Sequence, residues 1–134
     1  IKKGNRLIHV FGSAGQRDTT KRPIMGEASG SYADLTILTE EDYRDEDPIK
    51  ICNELAIGLK KNGFKEVQQN NLGNKTKSYT IITDRKKAIE KAISIARKGD
   101  VVIATGKGHE TSLCRGNKEY PWDERRIFYD SLRS

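Results

Sequence analysis

An α/β fold built on a mostly parallel sheet is predicted by three observations. Four short apolar runs, Leu7–Phe11, Leu35–Leu38, Ile81–Ile82 and Val101–Ala104, have the composition of buried strands. Segments of helical periodicity lie between them, over residues 49–62 and 84–98. The two kinds of segment alternate, which is the order that builds parallel strands joined by crossover helices.

Residues 6–11 (RLIHVF) read as a buried strand running into the glycine-punctuated loop GSAGQRDTTKRP. Residues 25–33 (MGEASGSYA) are expected to form a short helix, weakened by Gly30 and Ser31. Residues 34–39 (DLTILT) give the second strand, and the acidic turn EEDYRDEDP follows it. Asp47 then stands as N-cap and Pro48 at the first helical position. Ile49, Cys52, Leu55, Ala56 and Leu59 fall on one helical face, and Asn62-Gly63 closes that helix.

The pattern weakens over 64–83, where a strand, a polar turn around NLGNK and a second strand YTIIT are expected. Residues 70–77 read as an insertion. The next helix is capped by Asp84, buries Ala88, Ile89, Ala92, Ile93 and Ala96, and is expected to run to Lys98-Gly99. DVVIATGKGHE reads as a strand, a glycine-rich turn and a charged pair. A polar hairpin around Arg115–Lys118 and a helix over about 123–132 complete the chain, with Tyr120, Trp122, Phe128 and Tyr129 read as its packing.

The 134 residues suffice for one domain and one core, at 34% apolar and 33% charged residues. No apolar stretch approaches the roughly 18 residues that would span a bilayer. Lys plus Arg total 25 against 19 for Asp plus Glu, a net charge of +6, which admits a nucleic-acid binder without requiring one. Cys52 and Cys114 are far apart, as are the two histidines, so no structural zinc site is expected. The opening IKKGNR is not a secretory signal, and a cytoplasmic location is the default. No serine or cysteine sits on a sharp elbow beside a base, so nucleophilic catalysis has no candidate.

In open parallel sheets, ligands bind beyond the carboxyl ends of the strands. Three such ends carry clusters here. In the first, Gly12 and Gly15 permit a tight turn with amides free for an anion, and Arg17, oriented by Asp18, suits a carboxylate or phosphate. The bland alternative is a solvated strand-to-helix turn. The second cluster, Glu40 to Asp47, has six acidic residues around Arg44. It serves either as capping and solubility, or to bind Mg²⁺, or to recognise ammonium groups while Arg44 reads a carboxylate, a mixture that suits a zwitterion. In the third, Gly106-Lys107-Gly108-His109-Glu110, the spacing is not that of a phosphate-binding P-loop. Glu110 can hold an ammonium group and His109 can carry or orient a proton, or His109 simply packs on the sheet edge.

The stretches VFGSAGQRDTTKRPIMG, ADLTILTEEDYRDEDP, GDVVIATGKGHET and DERR occur in this order over almost the whole chain. Together they resemble the C-terminal domain of the Mur ligases, the ATP-dependent peptidoglycan-precursor ligases. KRPxMG and GKGHE are specific to the branch that adds the third amino acid.

The resemblance implies a Rossmann-like domain, a mostly parallel sheet with an antiparallel edge strand and flanking helices. It implies that residues 1–134 lack the domain's first strand and helix. The N-terminal UDP-sugar domain and the central domain holding ATP and Mg²⁺ would lie elsewhere in a longer chain, and the isolated piece would be inactive. The implied reaction activates the carboxylate of UDP-N-acetylmuramoyl-L-alanyl-D-glutamate as an acyl phosphate, which the amino group of a diamino acid attacks.

Carried over by position, Arg17 would contact the α-carboxylate and Arg44 the distal carboxylate. The Gly106 backbone and the Glu110 carboxylate would take an ammonium group, with Asp18, Lys21 and His109 in support. Where diaminopimelate-using members carry Asp-Asn-Pro-Arg, this chain has Glu41-Asp42-Tyr43-Arg44. The kept arginine favours meso-diaminopimelate, whereas the added charge of Asp42 attracts an ammonium, so lysine or another diamino acid stays open. The competing readings are a catalytically idle interaction domain of the same family and a small basic nucleic-acid-binding module.

Overall fold

The computed structural model describes residues 4–15 and 18–133. The elements, in chain order, are β1 (Leu7–Phe11), α1 (Lys21–Gly30), β2 (Leu35–Leu38), α2 (Pro48–Lys61) and β3 (Lys65–Glu66). A 3₁₀ turn (Gln69–Asn71), β4 (Ser78–Ile81), α3 (Arg85–Ile95), β5 (Val101–Ala104), β6 (Ser112–Arg115), β7 (Lys118–Pro121) and α4 (Glu124–Arg133) follow.

Five strands form one sheet in the order β3-β4-β2-β1-β5, and every pairing within it is parallel. The expected antiparallel pairing does exist, but away from the sheet edge. It forms the separate β6–β7 hairpin, because the chain leaving β5 turns across the carboxyl ends of the strands and does not run back along β5.

Strand periodicity divides the core between the two faces of the sheet. Phe11, Leu38 and Tyr79 pack with Ile51, Cys52, Leu55 and Leu59 of α2 on one face. Ile8, Val10, Leu35 and Ile37 pack with Ala88, Ile89 and Ala92 of α3 on the other, where Trp122, Ile127 and Phe128 add the base of α4. Tyr120 and Tyr129, expected to join this packing, are instead exposed. Arg115 lies 5.5 Å from the Tyr120 ring centre and Arg133 5.2 Å from that of Tyr129, so both rings are covered by guanidinium groups.

The helix expected over 25–33 begins earlier, at Lys21, and ends at Gly30. Its position is set by packing on α2, since a Cβ on Gly26 would run into the Leu55 carbonyl and one on Gly58 into that of Pro23. As expected, Asp47 caps α2 by accepting from the Ile49 amide at 2.9 Å. Helix α3 stops at Ile95, short of the expected Lys98-Gly99. There the Asp100 carboxylate accepts from the Arg97 amide at 3.0 Å and from Arg6 Nη2 at 2.8 Å, which folds 97–100 into a turn.

The stretch 70–77, read from the sequence as an insertion, holds most of the 3₁₀ turn and the loop that returns the chain to β4. The short, charged β3 leaves little edge for another strand to pair with.

β1 sends its chain to α1 and β2 on one side, whereas β5 arrives on its other side after α3 has crossed the opposite face. The connections after β1 and β5 therefore leave on opposite faces of the sheet, which makes this a topological switch point.

Candidate functional site

Three loops meet beyond the carboxyl ends of β1, β2 and β5, and they are those that carry the clusters legible in the sequence. The first two touch through glycine. A Cβ on Gly12 would meet the Thr39 carbonyl and one on Gly15 that of Tyr43, and the Gly15 amide donates to the Asp42 carbonyl at 3.0 Å. The second and third meet in the same way, since a Cβ on Gly106 (φ +106) would overlap the Glu41 carboxylate.

Lys107 joins the second and third loops electrostatically. Only 2% exposed, its ammonium donates to both Asp42 oxygens at 3.0 Å and reaches Glu110 Oε2 at 2.6 Å. Burial opposes its charge, but Glu110 and Asp42 together hold its pKa above the ordinary value. Asp42 also accepts from the Cys114 amide at 2.7 Å. Its carboxylate is thus engaged inside the protein, so the ammonium-attracting charge expected of Asp42 is already met by Lys107. Glu110 remains 55% exposed at its side chain. Arg44 is half-buried, and among the described residues its guanidinium donates no hydrogen bond. The Glu110 carboxylate, paired with Lys107, keeps an exposed edge, and Arg44 adds a half-buried cation.

The other expected residues are placed less tightly. Arg17 lies outside the described residues. Asp18 accepts from the Thr20 amide at 3.0 Å and hydroxyl at 2.6 Å, which lowers its pKa and forms the turn that opens α1. Lys21 is the exposed first residue of α1. His109 is exposed, not packed on the sheet edge, and borders a cavity of about 190 Å³ with Glu110, Trp122 and Arg125.

Several residues that shape the site were given no role by the sequence. Glu40 is 3% exposed and accepts from Arg115 Nε at 2.7 Å, Arg115 Nη2 at 2.6 Å and the Arg85 amide at 3.0 Å. Arg85, fully buried, donates to the carbonyls of Glu40 at 3.1 Å and Thr105 at 2.8 Å and to Glu124 at 2.7 Å. Arg22, also fully buried, joins the Ala14 carbonyl at 3.0 Å to Glu46 at 2.8 Å and Glu54 at 2.7 Å. Glu41 lies in this low-dielectric junction, and burial pushes its carboxyl up to about 7. His9, stacked on Phe11, is hydrogen-bonded to Ser29 at 2.7 Å and Thr105 at 2.8 Å. Burial, with the charge of Arg85, lowers it to about 4, so the ring is neutral near pH 7. The one sequence signal for Glu40 and Arg85 is position: each stands next to a strand-end or cap residue where a free charge would be costly.

Residues 1–108 match the family model described as Mur ligase, glutamate ligase domain. The chain is 44% identical over 130 residues to the UDP-N-acetylmuramyl-tripeptide synthetase of Borreliella burgdorferi, covering 97% of this chain and 23% of that protein. It is 42% identical over 130 residues to the UDP-N-acetylmuramoyl-L-alanyl-D-glutamate--2,6-diaminopimelate ligase of Caldanaerobacter subterraneus subsp. tengcongensis, covering 97% and 24% respectively. A solved structure of a UDP-N-acetylmuramoyl-L-alanyl-D-glutamate--2,6-diaminopimelate ligase superposes with a TM-score of 0.79 at 29% identity, over 97% of this chain and 24% of that one. The chain thus spans about a quarter of the length of these relatives. With the motif-bearing loops meeting at one switch point and the family model covering most of its length, the chain belongs to the Mur ligase family, in its glutamate ligase domain.

Proposed function

We propose that this chain is the C-terminal, amino-acid-binding domain of an ATP-dependent amide-bond-forming ligase. The ligase adds a diamino acid, meso-diaminopimelate in preference, to UDP-N-acetylmuramoyl-L-alanyl-D-glutamate in cytoplasmic peptidoglycan-precursor synthesis. One observation carries this reading: Lys107 neutralises Asp42 while Glu110 stays exposed, and Arg44 stands without a hydrogen-bond partner among the described residues. A site that presents the exposed edge of the Lys107-paired Glu110 carboxylate beside the Arg44 guanidinium offers both signs of charge to a zwitterion. The 2,6-diaminopimelate ligases among its relatives support the preference for that substrate.

In this reading the Glu110 carboxylate and the Gly106 backbone receive an ammonium group. Arg44 receives the distal carboxylate, and Arg17 the α-carboxylate. Asp18, Lys21 and His109 support the surrounding loops. A substrate without the distal carboxylate leaves Arg44 unpaired, and that unmet desolvation is the source of discrimination. ATP with Mg²⁺ supplies the activation of the acceptor carboxylate and belongs to domains outside this chain. Among the described residues no group of three or more His, Cys, Asp or Glu is arranged to hold a metal ion, and no step is assigned to one here.

The test is a full-length ligase assay comparing meso-diaminopimelate, lysine and ornithine, with phosphate release as readout. The wild type should prefer meso-diaminopimelate. Arg44→Ala should lose that preference by about 10²-fold in kcat/KM while its melting temperature changes little. A variant that keeps the preference refutes the role of Arg44.

A further inference from the structure

The loop that carries Arg44 is strained, and what holds it comes from the far end of the chain. Asp42 (φ 45) and Arg44 (φ 55) both occupy the left-handed region although neither is glycine. Such conformations persist only where their surroundings over-determine them. Here the hairpin β6–β7 does so. Its Cys114 amide donates to Asp42 Oδ1 at 2.7 Å, and Arg115 pairs with Arg44 in an isolated parallel β-bridge. The Arg115 guanidinium grips both oxygens of the buried Glu40 carboxylate, at 2.7 and 2.6 Å, at the residue where the loop leaves β2. The family model ends at residue 108, so the hairpin lies beyond the stretch it matches.

We propose that Arg115 is a positioning residue for amino-acid selection: by clamping Glu40 it fixes the strained turn 41–44 and so the direction in which Arg44 is presented. This rests on the reading of that turn as part of the amino-acid site. The planar fork of arginine suits the task, because two parallel bonds fix orientation where a lysine ammonium would fix only distance. The Arg115 side chain is 34% exposed, so removing it does not empty a core position.

The experiment uses the full-length ligase carrying Arg115→Met, which keeps the stem and removes the fork, and Arg115→Lys, which keeps only the charge. For both variants the KM for the amino acid should rise about tenfold, the scale of one lost charge-assisted bond, with the KM values for ATP and the UDP-linked dipeptide within about twofold. The preference for meso-diaminopimelate over lysine should shrink with it. Glu40→Gln combined with Arg115→Gln should lose less than the two single changes summed, as coupled partners do. Backbone hydrogen exchange over 41–44 should accelerate in Arg115→Met, a readout that needs no turnover. Equal rises in all three KM values, or unchanged exchange with unchanged amino-acid preference, overturn the proposal. Should the wild type show no amino-acid-dependent phosphate release, the underlying functional reading fails, and the exchange measurement still decides whether Arg115 holds the turn.

Discussion

Glu41 and His9 lie close to the same strand ends and are displaced in opposite senses, Glu41 up to about 7 from 4.5 and His9 down to about 4 from 6.5. Each displacement is worth on the order of 3 kcal/mol. Folded Glu41 holds its proton more tightly than the unfolded chain does, so its contribution to stability is present below pH 4.5 and is lost as pH rises through 7. Folded His9 resists protonation, so its contribution is present above pH 6.5 and is lost as pH falls through 4. Between these limits the two slopes nearly cancel. Glu41→Gln should therefore lose about 2–3 kcal/mol relative to wild type on acidification from pH 6.5 to 4, and His9→Gln should gain relative to wild type. Urea denaturation across pH checks both, and parallel slopes in the two variants would contradict the assignment. The sequence marked Glu41 only as a member of the 41–44 motif and His9 not at all, because their displacements come mainly from burial in the fold.

At the scale of elements, legibility followed the strength of local signals. Helix α2 announced itself by Asp47-Pro48 and a continuous apolar face, and those features also build it. Helix α1 was misplaced because its position is a tertiary decision. Gly26 and Gly58, to which the sequence reading gave no role, let the two helix backbones approach until no Cβ fits between them. Gly26→Ala and Gly58→Ala should each destabilise by about 2–3 kcal/mol, against the few tenths gained by the same change in an open helix. Chemical denaturation decides this, and neutral variants would mean that the helices can move apart. β3 was barely legible because two residues, Lys65 and Glu66, carry no period.

For the whole molecule, two buried arginines assemble the site. Arg22 ties the loop after β1 to the loop after β2 through Ala14 and Glu46. Arg85 ties the loop after β2 to that after β5 through Glu40 and Thr105, and anchors α4 through Glu124. Arg85→Met leaves Glu124 buried without its cation and should cost about 3–5 kcal/mol in unfolding free energy. A loss below about 1 kcal/mol would show that the clamp is dispensable. The net charge of +6 says little beside this arrangement, because the charges that matter are paired within it.

The sequence alone determined the alternation of strands and helices, the parallel sheet, and the three strand ends that bear polar clusters, because these depend on periodicity and local turn chemistry. Tertiary structure decided which charges remain available. Lys107, set between two glycines, proved to be buried and to pair with both Asp42 and Glu110, of which Glu110 keeps an exposed edge. It also brought residues 40 and 115 together to hold a strained turn. A charge's meaning depends on its partner and its burial, and both come from residues distant in sequence, whose pairing no local pattern records.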